Sequence, residues 1–190
     1  MDEISASDAR LLQQARRGEE AAFLDLYRRY RRPVFQFAWR LTGSETAAED
    51  IAQESFLALL DGAAYNPAHG GLRTYLLGIV RHRAMRRVRA AERECEDPVG
   101  DESPSEAPDA LRSLLDAERA ELVGRAVAAL PLAQREALVL FEYEELSLEE
   151  IAQITGAETG AVKARLFRAR ESLRKRLAPL LAASTARSSR

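Results

Sequence analysis

The stretch from Leu146 to Leu177, LSLEEIAQITGAETGAVKARLFRARESLRKRL, constrains the fold more than any other part of the chain. Ser147 can cap a helix start while Glu150, three residues later, returns the hydrogen bond, which is the capping-box pattern. Gly156 supplies the backbone freedom that a sharp turn needs, and a second helix then begins near Thr159. The spacing therefore predicts a short helix, a tight turn and a longer helix, which is the helix-turn-helix plan.

The predicted second helix has one apolar stripe, which we expect to be buried because its members recur at about 100° per residue. That stripe comprises Val162, Leu166, Ala169, Leu173 and Leu177. The outward residues near the start of the helix, with those beside the stripe, are Lys163, Ala164, Arg165, Phe167 and Arg168. A DNA-reading helix presents base readers outward near its N-terminal end and phosphate contacts beside them. The pattern favours such a helix over the alternative of an ordinary charged surface helix.

A second basic segment, LRTYLLGIVRHRAMRRVRA, follows the glycine- and proline-containing loop of residues 62–71. Its apolar residues Leu77, Val80, Ala84 and Val88 fall on one helical face. Another face carries Tyr75, Ile79, His82, Arg83, Arg86 and Arg89. Aromatic and apolar groups beside arginines suit single-stranded or opened DNA, since bases can stack while the arginines hold the backbone. Taken alone, a basic amphipathic helix fits RNA, a membrane or an acidic protein equally well.

An acidic segment, AAEDIAQESFLALL, is predicted to form a helix that starts near Glu45 and ends at Asp61-Gly62. One stripe of this helix is polar with a leucine in it: Asp50, Gln53, Glu54 and Leu57. Such a stripe is either solvated surface or the surface by which a helix meets a basic partner helix. Upstream, one buried helical face is predicted from the spacing of Phe23, Tyr27, Tyr30, Val34, Phe37 and Leu41. We expect Pro33 to bend or break that helix.

Charge is segregated along the chain, although the net charge of its 190 residues is only −2. Between Ala90 and Ala117 nine acids accompany two arginines, and three prolines interrupt the segment. Such a segment cannot bury enough apolar surface to become ordered, so it predicts a flexible acidic linker. With helical spacing on both sides and no sustained β-alternation, we predict an all-α fold of two small helical domains. They cover residues 1–92 and 110–178, with the linker at 93–109 and a disordered tail at 179–190.

Several classes of function lack support in the sequence. A single cysteine, Cys95, and two scattered histidines, His69 and His82, make no metal-site spacing. No apolar run approaches the roughly 20 residues that span a bilayer, and the polar, acidic N-terminus is not a signal peptide. No nucleophile–base pair or phosphate loop is present. We therefore expect a cytoplasmic protein with no catalytic residues, no cofactor, no small-molecule substrate and no membrane insertion.

In their order and spacing, the three segments resemble an extracytoplasmic-function (ECF) sigma factor of the bacterial sigma-70 family, over about Asp8 to Leu177. The resemblance implies that AAEDIAQESFLALL grips the clamp helices of the RNA polymerase β′ subunit, with Asp50, Gln53 and Glu54 as contacts and Leu57 beside them. It implies that TYLLGIVRHRAMRRVRA melts and reads the −10 promoter element. It also implies that the domain ending at Leu177 reads the −35 element through the start of its second helix.

The resemblance further implies a transcription initiation factor whose partners are core RNA polymerase (the β′ clamp helices and the β flap), promoter DNA and an anti-sigma factor. The sequence departs from the family pattern at four positions. Ala161 and Ala164 stand where hydroxyl residues are common, Tyr75 where tryptophan is common, and His82 where asparagine is common. A stand-alone helix-turn-helix regulator and a protein-binding adaptor are the alternative interpretations.

The length of the acidic segment sets a geometric condition on this interpretation. Its 28 residues from Ala90 to Ala117 reach about 87 Å when extended at ~3.1 Å per residue, but average only about 30 Å as a random coil. Promoter elements about 25 base pairs apart lie about 85 Å apart. We therefore expect two loosely tethered units that bind DNA weakly until the polymerase holds them apart.

Overall fold

The computed structural model describes residues 3–62, 65–67, 70–94 and 112–188, and within these ranges it contains eight α-helices and no strand. The helices are α1 Glu3–Arg16, α2 Glu20–Thr42, α3 Glu45–Asp61, α4 Leu72–Glu94, α5 Arg112–Ala128, α6 Leu132–Glu142, α7 Leu148–Thr155 and α8 Thr159–Ser188. The predicted all-α fold of two helical domains is confirmed. Most of the predicted linker lies in 95–111, outside the described residues. Helix α8 includes most of the segment 179–190, for which the sequence predicts disorder.

The first domain packs α1, α3 and α4 around the long helix α2. The buried residues of α2 are Ala22, Leu26, Tyr30, Val34, Phe37, Ala38 and Leu41. The predicted face is therefore correct from Tyr30 onward and wrong at Tyr27, which is exposed while Leu26 is fully buried. Steps of four residues from Ala22 bring Leu26 and Tyr30 onto the same side of the helix as Val34, which displaces Tyr27 toward solvent.

Helix α2 continues through Pro33, so the expected break at this proline is wrong. Proline removes one backbone hydrogen bond from a helix and strains the turn before it. Here Tyr30, Val34 and Phe37 are buried on both sides of the proline and fix the axis of the helix. The helix ends instead at Gly43, whose φ of +70° places it in the left-handed region. The glycine thus supplies the left-handed residue that ends α2.

Helix α1 is absent from the sequence analysis, yet two polar contacts anchor it. The buried carboxylate of Asp8 accepts hydrogen bonds from the Tyr30 hydroxyl and from Arg29. Burial, followed by the bond to Asp8, raises the pKa of Tyr30. At its other end, Arg16 donates to the carbonyl oxygens of Leu59 and Gly62. Because these carbonyls lie at the end of α3, Arg16 satisfies backbone groups that the helix leaves unpaired.

Helix α4 is buried on more than the one face that the sequence predicts. The predicted face is confirmed, since Leu77, Val80 and Ala84 are almost completely buried. Residues outside that face are also buried: Leu72, Thr74, Leu76 and Met85. Helices α2 and α3 of the first domain pack against α4, and α7 of the second domain packs against it as well. Helix α4 therefore belongs to the core of one domain and to the contact between the two.

The second domain forms the predicted helix-turn-helix. The Ser147 hydroxyl accepts from the Glu150 N–H at 3.2 Å, and the Ser147 N–H donates to the Glu150 carboxylate at 2.9 Å, so the capping box is confirmed. Gly156, with a φ of +65°, ends α7. Val162, Leu166 and Ala169 are buried, whereas the later members of the stripe are partly exposed. The predicted apolar stripe of α8 is therefore confirmed over its first half.

The two domains pack directly against each other, which differs from the expected loose tethering. Arg73 of α4 donates to the carboxylate of Glu144 at 2.7 Å and to its carbonyl oxygen at 2.6 Å. The hydroxyl of Thr74 donates to the carboxylate of Glu150 at 3.1 Å. Both acceptors belong to the α6–α7 side of the second domain. The acidic linker does not indicate this docking, because the docking residues are scattered over four helices and a turn.

Further along the same contact, Arg81 pairs with Glu136 of α6. Arg135, also on α6, donates to the carbonyl oxygen of Leu41 at 2.9 Å, at the end of α2. Glu136 and Glu144 are each only 2% exposed. The contact thus includes several charged and polar groups, with two carboxylates almost wholly removed from water.

Burial raises the pKa of Glu136, and the attraction of Arg81, Arg165 and Arg89 offsets this only in part. Burial likewise raises the pKa of Glu144, against the attraction of Arg73 and Arg40. Arg40 also lies over the ring of Tyr143, with its guanidinium carbon 4.1 Å from the ring centre. An ionised carboxylate at either position therefore loses more by desolvation than its arginines return, since taking charges out of water is costly.

The pH dependence of domain packing follows from these two carboxyls. Because the pKa of each is raised in the packed arrangement, that arrangement binds protons more tightly than separated domains do. The resulting stabilisation is complete below the ordinary pKa of glutamate and is lost as the pH rises through the raised pKa. We therefore expect the radius of gyration, measured by small-angle X-ray scattering, to decrease as the pH falls from about 8 to about 5.

The matched control is Glu136→Gln/Glu144→Gln, which mimics the protonated state at both positions. Its radius of gyration should stay at the low value throughout this pH range. A radius that increases on acidification, while circular dichroism shows the helices intact, would contradict the assignment of the two glutamates.

Candidate nucleic-acid and polymerase interfaces

The start of α8 presents one open face that nothing else in the described chain covers. Lys163, Ala164, Phe167 and Arg168 are all exposed, and Phe167 is 71% exposed, the largest value among the big apolar side chains. An apolar ring left in water has no stabilising role in the isolated fold. The structure therefore brings together four of the five predicted −35 residues on a surface suited to a partner.

Arg165, the fifth member of the predicted set, lies apart from that face. It is partly buried on the side of α8 that turns toward α6, where its charge lowers the pKa of Glu136. Lys163 and Arg168, in contrast, form no ion pair within the described residues. The basic residues that remain available at the start of α8 are thus Lys163 and Arg168.

The basic residues further along α8 have acidic neighbours. Arg170 donates to the carboxylate of Glu142 at 2.7 Å, and Arg174 and Lys175 both pair with Glu171, at 2.5 Å and 3.6 Å. These pairs are at least a third exposed on each side, so each contributes little to stability. These pairs neutralise much of the positive charge further along α8. The N-terminal half of α8 is therefore its most positive part.

A cavity of about 560 Å³ lies between α4, the preceding loop and α7. Five of the six residues predicted to contact the −10 element line it: Tyr75, Ile79, His82, Arg83 and Arg86. Arg89, the sixth, is exposed beyond the cavity. The structure thus places an aromatic ring, an apolar side chain and two guanidinium groups around one hollow, which is what stacking on bases and holding a backbone requires.

The sequence analysis missed the loop side of this cavity. Tyr65 and Asn66 line it, and the ring centre of Tyr65 lies 5.4 Å from that of Tyr75. Gly62 begins the loop, and a Cβ there would lie 2.7 Å from the Ala58 carbonyl oxygen, so only glycine fits without a shift. A tyrosine between glycines, directly before a basic helix, was the available signal. The two tyrosines together form a broader stacking surface than Tyr75 alone.

The acidic stripe on α3 lies beside the basic face of α4. Leu57, Gln53 and Glu54 are exposed, with Leu57 at 53%. Asp50 accepts from Arg87 at 3.0 Å, and Glu54 pairs with Arg83. The predicted core-binding residues therefore do form one accessible surface, and two of them are paired with arginines of α4.

A group of aromatic side chains extends this surface onto α2. The ring centres of Tyr27 and Phe56 lie 5.0 Å apart, and those of Phe23 and Phe56 lie 6.4 Å apart in an edge-on arrangement. Tyr27 and Leu24 are both more than a third exposed. The spacing along α2 predicted a buried Tyr27, so it did not indicate that this helix carries exposed apolar side chains of its own.

Two structural features are absent from the part of the chain that the structure describes. No group of three or more His, Cys, Asp or Glu side chains is arranged to hold a metal ion. No helix there is long and apolar enough to cross a bilayer. The candidate sites in the described residues are therefore charged, aromatic and apolar surfaces on α3, α4 and α8.

Family models match both halves of the chain. Residues 26–94 match sigma-70 region 2, and residues 120–173 match sigma-70 region 4. The first match covers most of α2 and all of α3 and α4. The second begins within α5 and ends within α8. Both therefore contain the surfaces described above.

Relatives match over nearly their whole length. The RNA polymerase sigma-H factor of Pseudomonas aeruginosa is 31% identical over 184 residues, which cover 92% of this chain and 95% of the relative. The ECF RNA polymerase sigma-E factor of Salmonella typhimurium is 30% identical, over 92% of this chain and 96% of the relative. The ECF RNA polymerase sigma factor SigW of Bacillus subtilis is 29% identical, over 89% and 96%.

Two solved structures share the fold. The sigma factor RpoE in complex with the anti-sigma factor NepR from Bartonella quintana aligns with a TM-score of 0.66 and 27% identity, over 82% of this chain and 96% of that one. CnrH in complex with the cytosolic domain of CnrY aligns with a TM-score of 0.64 and 26% identity, over 93% and 98%. With the two regions in the same order and relatives of matching length, the chain belongs to the sigma-70 family of RNA polymerase sigma factors, which are transcription initiation factors, and within it resembles the ECF sigma factors.

Proposed function

We propose that this chain binds core RNA polymerase and directs it to specific promoters, with α3 on the β′ clamp helices, α4 on the −10 element and α8 on the −35 element. The observation that supports the proposal most directly is the open face at the start of α8. There Phe167 is largely exposed, and Lys163 and Arg168 have no ion pair within the described residues. A surface of this kind needs a partner that offers both negative charge and apolar contact, as the major groove does.

Within this face the residues have different roles. Arg168 is the base reader, because a guanidinium can form two hydrogen bonds with the edge of a guanine. Phe167 contacts the thymine methyl or the sugar, and Lys163 contacts a phosphate. Ala161 and Ala164 have no hydroxyl to offer, so Arg168 and Phe167 determine the −35 preference. Arg165, partly buried, contributes charge alone.

Helix α4 separates and holds the −10 strands in this proposal. Tyr65, Tyr75 and Ile79, which line the first-domain side of the cavity, offer an unstacked base two rings and an apolar side chain once α7 moves away. Arg86, which lines the same cavity, contacts the backbone beside that base. His82 is exposed at the edge of the cavity, so its ring supplies a further hydrogen-bonding group.

Helix α3 forms the polymerase contact. Leu57, more than half exposed, lies at its apolar centre, with Gln53 and Glu54 as polar neighbours. Asp50 contributes a carboxylate that a basic partner helix can bind. The exposed Leu24 extends the apolar part onto α2. An apolar centre with a charged rim is the usual composition of a protein interface.

The domain assignment is part of this proposal. Residues 1–92 form the region 2 domain, residues 93–109 the linker, and residues 110–178 the region 4 domain, which also contacts the β flap. Bond formation belongs to the polymerase, so the chain supplies no catalytic residue and binds no small-molecule substrate or cofactor. Because its partner polymerase works in the cytoplasm, we place the chain there.

An anti-sigma factor is the proposed regulator. Two solved relatives with the same fold are complexes, one with the anti-sigma factor NepR and one with the cytosolic domain of CnrY. We propose that this chain also has a protein partner of that kind, which competes with the polymerase.

Run-off transcription is the direct test of the function. Core polymerase supplied with this chain should start RNA at specific promoters, and core polymerase alone should not. The alternative of a stand-alone helix-turn-helix regulator predicts the opposite behaviour. It requires tight, specific duplex binding by the purified chain without any effect on initiation by the core enzyme.

Replacing Arg168 by alanine should weaken recognition of the −35 element about 10- to 100-fold, the effect of losing one bidentate base contact. Affinity for core polymerase should change little, because Arg168 lies on α8 and not on the polymerase surface. Both quantities can be measured by fluorescence anisotropy, with holoenzyme on labelled promoter and with labelled sigma factor on core. The control is Arg174→Ala, which removes an equal charge from the same helix at a position already paired with Glu171. Equal loss from the two variants would contradict the assigned role.

Replacing Asp50 and Gln53 together by alanine should raise the Kd for core polymerase about tenfold or more, the effect of losing two contacts at an interface centre. The fold should survive, because the pair between Asp50 and Arg87 is about half exposed on both sides. The measurement is co-purification with core enzyme and a titration of labelled sigma factor. Asp61→Ala serves as control, since it removes one carboxylate from the far end of α3. Unchanged affinity of the double variant would remove this surface from the polymerase contact.

A further inference from the structure

The packed arrangement of the two domains is incompatible with simultaneous binding of both promoter elements. Helix α4 is in contact with α7, and α2 is in contact with α6. Promoter elements about 25 base pairs apart are separated by about 85 Å along straight duplex DNA. The domains must therefore separate before α4 and α8 can act on one promoter, and the residues between them become exposed when they do.

In the two ion pairs across this contact, the first domain supplies the positive charges and the second domain supplies the negative charges. Helix α4 supplies two arginines, Arg73 and Arg81, and the second domain supplies two carboxylates, Glu144 and Glu136. The carboxylates are almost fully buried, whereas the side chains of Arg73 and Arg81 are 37% and 25% exposed. The guanidinium groups thus lie at the boundary between the contact and water, with the carboxylates covering them from one side.

Both arginines lie next to residues that line the cavity. Arg73 precedes Thr74, and Arg81 precedes His82, and both of these neighbours belong to the cavity wall. Arg81 follows Arg73 by eight positions, so their Cα atoms lie about 12 Å apart along α4 and about 80° apart around it. The two guanidinium groups are therefore spaced along α4, beside the residues on which a base is proposed to stack. They are placed to hold the backbone of the same strand.

The carboxylates occupy positions that an anionic ligand would take. An arginine fork binds carboxylate and phosphate oxygens with the same geometry. A buried ion pair contributes little net stability, because desolvation cancels much of the attraction. The raised pKa of Glu136 and Glu144 has the same cause, since burial outweighs the attraction of the arginines. A phosphate that remains partly in water can therefore replace each carboxylate at low cost.

We propose that Arg73 and Arg81 bind backbone phosphates of the opened DNA strand, and that Glu144 and Glu136 occupy these two arginines in the packed arrangement. Domain packing and strand binding then exclude each other. The proposal rests on the assignment of α4 to the opened −10 strand. It adds two phosphate-binding residues that the sequence pattern did not indicate, together with the two carboxylates that compete for them.

The test compares two full-length double variants that carry the same change in charge. Glu136→Lys/Glu144→Lys places like charges opposite Arg81 and Arg73. Glu145→Lys/Glu149→Lys changes two exposed positions nearby. The probe is a fluorescein-labelled single-stranded DNA of about a dozen nucleotides, since an opened −10 strand of this kind is the proposed ligand. Fluorescence anisotropy gives Kd over a series of salt concentrations, small-angle scattering gives the radius of gyration, and circular dichroism verifies the helices.

We expect the radius of gyration to increase for Glu136→Lys/Glu144→Lys and to stay unchanged for the control. The plot of log Kd against log salt should be steeper by about 1.4 than the control's, because two added phosphate contacts to a single strand contribute about 0.7 each. Adding Arg73→Ala/Arg81→Ala to the separated variant should return the slope to that of the control. An increased radius without a steeper slope, or a steeper slope that survives removal of both arginines, overturns the proposal.

A cross-link tests the same point while leaving the Arg73–Glu144 and Arg81–Glu136 pairs in place. The side chains of Thr74 and Glu150 are hydrogen-bonded at 3.1 Å, so Thr74→Cys/Glu150→Cys in a Cys95→Ser background can be joined by a short bis-methanethiosulfonate reagent, which forms a disulfide with each cysteine, releases methanesulfinate and is cleaved again by dithiothreitol. The linked chain should bind the oligonucleotide about tenfold more weakly than the cleaved chain, as expected for the loss of two charge-assisted contacts. Equal binding before and after cleavage would show that packing does not compete with the strand.

Failure of this proposal can be distinguished from failure of the proposed function. Tyr75→Ala in the separated variant removes the stacking partner and leaves both arginines in place. If it weakens binding while the salt slope does not depend on Arg73 and Arg81, α4 binds the strand and only the phosphate assignment is wrong. If it leaves binding unchanged while the slope depends on both arginines, the phosphate contacts stand and the assignment of base stacking to α4 is wrong.

Discussion

The burial of α4 from several sides is the constraint on which the rest of the structure depends. Leu77, Val80 and Ala84 join α4 to the core of the first domain, while Arg73 and Arg81 join it to the second. The apolar contacts are permanent, because separating them would expose side chains that are almost completely buried. The polar contacts cost little to exchange for others, since water or an anion can take the place of each carboxylate. One helix thereby serves both as a fixed element and as a releasable surface.

Charge pairing within the chain explains how a protein with a net charge of −2 can carry surfaces for DNA. Arg83 and Arg87 are paired with acids of α3, and Arg170 with an acid of α6. Exposed pairs of this kind contribute about 1 kcal/mol or less each. These pairs weaken the electrostatic attraction of the free chain for DNA, but they do not hold the arginines permanently. The acids of α3 also belong to the proposed polymerase surface, so binding there competes with the arginines for the same carboxylates.

The sequence alone predicts the elements whose patterns lie within a few neighbouring residues. The capping box of Ser147 and Glu150, the turn at Gly156 and the spacing along α8 each lie within a few residues, so helix, turn and exposed face could be predicted. The docking of the domains could not be predicted, because it depends on contacts between residues far apart in the chain. Arg81 and Glu136, for example, are 55 positions apart, and neither stands in a distinctive pattern. Sequence periodicity shows that a residue lies on one side of a helix but not which element covers it.

The composition of the domain contact bears on how the polymerase can act. If the domains met through an apolar face, burial at about 25 cal/mol per Å² would make separation expensive, and much of the binding energy for the polymerase would be used to open the chain. The ion pairs and hydrogen bonds of this contact lower that cost, since their groups are satisfied again by solvent or DNA once they separate. The same contact still keeps Arg73 and Arg81 covered in the free protein. The ion pairs and hydrogen bonds of the contact therefore favour weak DNA binding by the free chain and make opening on the enzyme less costly than an entirely apolar contact of equal area would.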